Sequence, residues 1–287
     1  MKCKFFLPLT GNITGLSRLR LDYGLKLEVF STRKIINILN LAKGEDYYYA
    51  IAHLFLNGMS SNKKKIFCIT KSISNNKEEV NFEHIKLLIT KLRLFKEGNI
   101  GYWNTHFFYH KRYKSKFVTS DSAFNTFFHN NVVVSYSLDG REIGVCNKFI
   151  KKIKLSDQRK LKIAIDNFNQ SYSNINDELR FLSLMIAIEA LYSKNSQELL
   201  SFRVTRNCSI FLGENEVDSI KIYKDMKNLY KIRSEIIHGS AGKLNHQNLL
   251  LLRMYVRKSI VKYLITSKDP NKILDNFDTL GFRDRIY

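Results

Sequence analysis

The chain has 287 residues, 44% hydrophobic and 13% aromatic, enough to bury two modest cores and inconsistent with a disordered or fibrous protein. Lysine and arginine number 47 against 26 aspartates and glutamates, a formal net charge of +21 to which both halves contribute. A low-GC codon bias explains lysine over arginine but not the shortage of acids, so the charge favours a polyanionic partner, nucleic acid first. No apolar run reaches the ~20 residues of a membrane-spanning helix. The opening MKCKFFLPLTGN has an apolar patch that ends after Leu9, short of the ~7–15 residues of a signal-peptide core. These features predict a soluble, cytoplasmic protein with no membrane association. Cys3, Cys68, Cys146 and Cys208 have no short C-x-x-C spacing, so reduced, buried thiols are expected in place of a zinc site or disulfides.

Residues 1–150 read as an α+β domain of unknown specificity. Lys2–Leu7, Lys65–Thr70, Trp103–Tyr109 and Val132–Ser137 are rich in β-branched and aromatic residues and read as strands. Phe82–Phe95 has apolar residues at helical spacing, and Tyr47–Leu56 is a second helix candidate. The stretch from Gly101 to Phe117, GYWNTHFFYHKRYKSKF, interleaves aromatics with Lys111, Arg112, Lys114 and Lys116. Aromatics beside cations suit a single-stranded nucleic acid. Alternate aromatics equally fill a core, and KRYKSK equally makes a solvated loop. On balance Trp103 and Phe107 read as core, while Lys111, Arg112 and Lys114 are candidates for RNA contact. His106, His110 and His129 have no metal-ligand spacing, and no phosphate-binding glycine loop is present, so neither a metal nor a cofactor is expected.

Residues 151–287 read as an all-helical domain with a C-terminal tail. Ser156 or Asp157 caps a helix through Phe168, and Asn176-Asp177 precede ELRFLSLMIAIEALY, apolar nearly all round and therefore central. A third helix spans Ser196–Leu212 and stops at Gly213, expected as a left-handed C′ residue. A fourth spans Val217–Ile237 and ends at His238-Gly239, and a fifth spans Gln247–Ile265. Short connections between them predict a bundle of mostly antiparallel neighbours. The tail beyond Pro270 is apolar enough to pack, with no position indicated.

Two segments carry the functional signal. One is Arg180–Leu191, RFLSLMIAIEAL, with Glu189 in an otherwise apolar run; the other is Leu229–Ser240, LYKIRSEIIHGS, with Arg233 and His238 in Arg-x4-His spacing. With Arg203 or Arg206 on the helix between them, residues 155–265 resemble the Apea-like branch of the HEPN superfamily. The resemblance implies a helical bundle that dimerises so that two Arg/His pairs face one cleft. It implies a metal-independent endoribonuclease using the RNA's own 2′-hydroxyl as nucleophile, and a place in a defence or toxin-type system. Histidine suits proton movement near neutral pH, and arginine suits a phosphate and its developing charge. His238 would be the general acid/base and Arg233 the phosphate holder.

The same residues have ordinary roles. A histidine in a last helical turn complements the helix dipole, and an arginine one turn earlier pairs with a carboxylate. Glu189 needs a cation, for which Arg203, Arg206 and Arg233 are the candidates; it reads as supporting and not as directly catalytic. Many active HEPN nucleases carry Asn, Asp or His after the motif arginine. Here Ser234 follows Arg233, as is common in the Apea-like branch, and a second reading stays open: a non-catalytic HEPN module that binds RNA or regulates a protein partner.

Overall fold

Strand β1 (Cys3–Thr10) is a nearly continuous apolar run, and Phe5, Phe6, Leu7 and Leu9 are all buried, as a strand covered on both faces requires. It lies in a computed structural model that describes residues 3–11, 13–31, 33–35, 65–73, 80–102, 105–110, 116–119, 134–173, 176–193, 199–239, 244–266 and 270–279. The chain divides into two units, Met1–Lys152 and Ile153–Tyr287.

In the first unit β1 pairs antiparallel with β4 (Lys65–Ile73), and β4 with β3 (Lys26–Ser31). On its other edge β1 meets β5 (Gly101–Tyr102) and then β6 (Thr105–His110), which pairs with β7 (Lys116–Thr119). Pro8 falls where that edge passes from β6, at Phe6↔Phe107, to β5, at Leu9↔Tyr102, a break at which a missing N–H is tolerated. Short strands β2 (Ile13–Thr14) and β8 (Tyr136–Ser137) form a separate parallel pair. Helices α1 (Phe82–Phe95) and α2 (Gly140–Lys152) cover one sheet face. Ile85, Leu88, Ile89 and Leu92 of α1 and Ile143, Cys146 and Ile150 of α2 share a core with Phe5, Leu7, Ile69 and Ile73. On the opposite face Glu28 accepts from Lys4 Nζ at 2.6 Å and Thr70 Oγ1 at 2.9 Å, a polar link across three strands.

The strand expected at Lys65–Thr70 extends to Ile73, and helix Phe82–Phe95 has the bounds expected. Of Val132–Ser137 only Tyr136–Ser137 is strand, and Lys116, expected in a loop, opens β7. Strand β3 and helix α2 were not anticipated; the candidate helix Tyr47–Leu56 lies outside the described residues.

In the second unit α3 (Arg159–Ser173), α4 (Asp177–Tyr192), α5 (Leu200–Leu212), α6 (Glu216–Ile237), α7 (His246–Thr266) and α8 (Pro270–Thr279) pack together. Helix α4 touches all five others, the central position its all-round apolarity predicts. Asn176 caps it, accepting from the Glu178 N–H at 2.7 Å. Helix α3 starts two residues after Asp157, with Ser156 Oγ accepting from the Gln158 N–H. The described part of the tail packs as α8, burying Ile273, Leu274 and Phe277. Gly213 is not left-handed: its φ is −63°. Space demands the glycine, because a Cβ there would stand 2.8 Å from the Ser209 carbonyl oxygen and overlap Ser219 of α6. Cys146 and Cys208 are buried and unpaired, with thiols pushed up to about 12 by burial.

Helix α2 starts at a reciprocal cap. Asp139 accepts from the Arg141 and Glu142 N–H groups at 2.8 Å, and Glu142 accepts from the Asp139 N–H at 3.0 Å and from Lys96 Nζ. The Lys96 bond and then the Asp139 N–H hold the Glu142 carboxyl below its usual value of 4.5, so its contribution is present above that value and lost as pH falls through the lower folded one. Glu142→Gln is therefore expected to lower the urea midpoint at neutral pH and to matter progressively less as acid is added. An equal shift at every pH would contradict this.

Candidate functional site

Helix α4 carries Glu189 in its last turn, and α6 presents Tyr230 and Arg233 to it, three residues apart and so on neighbouring positions of one face. Arg233 Nε stands 3.1 Å from Glu189 Oε1, and the Tyr230 hydroxyl donates to the same oxygen at 3.2 Å. The Glu189 side chain is 16% exposed and that of Arg233 is 32%. Burial dominates at Glu189 and raises its carboxyl above the ordinary value, while Arg233 and then Tyr230 pull it back. Burial, followed by Glu189, drives the Tyr230 hydroxyl upward. The approach to Glu189 uses one of the five N–H donors of the guanidinium, which leaves donors for a further acceptor.

Arg233 also lines an open groove of about 680 Å³ between the start of α5 and the second half of α6. Leu199, Leu200, Ser201, Phe202 and Thr205 form one wall, and Tyr223, Lys227, Tyr230, Lys231, Arg233 and Ser234 the other. No carboxylate is among the described residues that line it. The site therefore combines an anchored guanidinium, two ammonium groups and several hydroxyls, a set that receives anionic oxygens.

Helix α6 closes at His238, whose backbone N–H donates to the Ser234 carbonyl at 3.0 Å. Gly239 follows at φ +68°, the left-handed position expected of the His-Gly pair. His238 is exposed and no hydrogen bond joins it to Arg233. Five residues on a helix separate two side chains by ~7.5 Å along the axis and ~140° around it, so the two converge within one chain only where the helix ends at His238 and Arg233 reaches around.

Of the three arginines considered for Glu189, Arg233 takes it. Arg206 instead donates through Nη1 to the Phe277 carbonyl of α8 at 3.1 Å, while Arg203 lies in the first turn of α5. Ser234 lies exposed in the groove. Lys111, Arg112 and Lys114 are outside the described residues. Sequence reasoning missed Phe202, Tyr223, Lys227 and Lys231; the last three, with Ser234, sit at helical repeats of four, four and three, a stripe visible in the sequence. Among the described residues no cluster of His, Cys, Asp and Glu could hold a metal, and no helix is long and apolar enough to cross a membrane. No protein-family model matches the chain, and neither a curated protein nor a solved structure matches it.

Removing one partner of the Glu189 cluster strands the others. Tyr230→Phe is expected to cost about 1.5 kcal/mol in urea unfolding, the low end for a bond to a charged group because the site is part-wet. Arg233→Met costs more, since a mostly buried carboxylate loses its cation, and adding Glu189→Gln recovers part of the loss. Strict additivity of the two substitutions would show that the pair is not coupled.

Proposed function

We propose that the helical unit is a metal-independent endoribonuclease of the Apea-like HEPN type. Arg233 holds the scissile phosphate and His238 moves protons. The RNA's 2′-oxygen bonds to phosphorus as the bond to the 5′-oxygen breaks. The 2′-hydroxyl loses its proton to one histidine and the departing 5′-oxygen gains one from another, leaving a 2′,3′-cyclic phosphate and a 5′-hydroxyl.

The observation that carries this reading is the Glu189–Arg233 pair at the edge of a cationic groove. It anchors a guanidinium beside Glu189 while leaving it on the groove wall, the arrangement that stabilises charge growing on phosphate oxygens. The separation of Arg233 from His238 within one chain agrees with a site completed by a second copy. Helix α4 offers surface for that copy: Leu179 is 53% exposed and Ile186 49%, seven residues apart on one strip. RNA is the substrate and the homodimer the active form.

The test is incubation of wild type, His238→Ala and Arg233→Ala with RNA in excess EDTA, followed by analysis of the product ends. Wild type should yield cyclic-phosphate ends. His238→Ala should lose ~10²–10⁴-fold in rate with its fold intact, because it is exposed and the cap bonds at its position come from the backbone. Wild-type rates in folded His238→Ala would exclude the mechanism. A second reading, a HEPN dimer that binds RNA without cutting it, is favoured by Ser234 standing directly after Arg233. It predicts salt-sensitive binding and RNA that stays intact in every lane.

A further inference from the structure

Resting on Arg233 as the phosphate-holding cation, we infer that the α5–α6 groove is the track for single-stranded RNA flanking the cleaved bond. Lys227 and Lys231 hold its phosphates, and Phe202 stacks on a base. The α6 wall runs from Tyr223 to Ser234, about 16 Å of helix at ~1.5 Å per residue, far longer than one phosphate needs. Around the helix axis Arg233 lies on one border of this stripe and Lys231 on the other, roughly 160° apart at ~100° per residue, with Tyr230, Tyr223, Ser234 and Lys227 between them.

Lys227 and Lys231 are exposed, one turn apart, and neither forms an ion pair among the described residues. Across the groove Phe202 is 49% exposed, an aromatic ring half turned to water. A helical peptide would need apolar rows on both walls. Here only the α5 wall is apolar, while the α6 wall carries ammonium, guanidinium and hydroxyl groups with no carboxylate, which matches a polyanion with flat apolar bases.

The experiment is fluorescence anisotropy of the full chain with a labelled 2′-O-methyl oligonucleotide, which cannot be cleaved, across a salt series. Lys227→Gln/Lys231→Gln should reduce the slope of log affinity against log salt by about 1.4, at ~0.7 per phosphate contact on a single strand. Phe202→Ala should weaken binding roughly 5- to 150-fold with the slope unchanged. Lys258→Gln, at an exposed lysine of α7 outside the groove, should stay near wild type. Groove variants that bind like wild type, or a wild type that binds no oligonucleotide, overturn the track. Groove-dependent binding without cleavage by any form overturns the nuclease and leaves the track. Cleavage with groove-independent binding does the reverse. Displacement of the oligonucleotide by an apolar helical peptide, with the lysines irrelevant to both, assigns the groove to a protein and overturns the inference.

Discussion

An ionised carboxylate moved out of water costs several kcal/mol unless it is paired and hydrogen-bonded. Helix α4 sits against every other helix of its unit and, past its first turn, carries one acid, Glu189. The bundle can centre on this helix only if some neighbour meets that acid. Helix α6 does so twice, with Tyr230 and Arg233, and this fixes the rotation of α6 on its axis. With those two turned to Glu189, Met226, Leu229 and Ile232 face the core and the stripe from Tyr223 to Ser234 is left outward. The solution to a burial problem is also what orients the guanidinium.

The hairpin of α5 and α6 adds a second constraint. At its closed end Gly213 brings the α5 terminus so near Ser209 and Ser219 that no side chain fits. At the other end, where α5 begins and α6 finishes, the two helices bound the groove. Tight contact at the turn and a gap at the far end belong to one geometry. The gap collects the cations because the core takes the apolar positions of α6 and leaves Lys227 and Lys231 to the opposite face.

The helical half was legible because its pattern is local. Asn176 as a cap, the apolar run after it and the His238-Gly239 stop each follow from a few neighbouring residues, and each is found. Gly213 stopped a helix as expected but by close packing against Ser209 and Ser219, a turn geometry that the glycine alone does not encode. In the first unit β3 escaped although Lys26-Leu27-Glu28-Val29 alternates polar and apolar residues; Glu28 is held there by Lys4 and Thr70, which are distant in sequence. Helix α2 escaped because Gly140 and Gly144 weaken its signal, although the Asp139-x-x-Glu142 cap was there to be read. At the site, sequence narrowed Glu189 to three arginines and could go no further. The choice depends on which helix lies against α4, and Arg206 is drawn away by a carbonyl of the tail.

Arg233 and His238 are positioned by different means, and the difference bears on what each can reveal. Arg233 is held by side-chain contacts that also stabilise α4, so any change there mixes structure with chemistry. His238 is held by its backbone: the helix end is made by its own N–H and by left-handed Gly239, and its imidazole stands in solvent. Helix termini accept many residues at that position, so the fold gives no strong reason for a histidine. On the proposed mechanism, a group the structure does not need, one and a half turns beyond an arginine it does need, isolates proton transfer from stability. The proposed chemistry is therefore best tested at His238, and the architecture at Glu189.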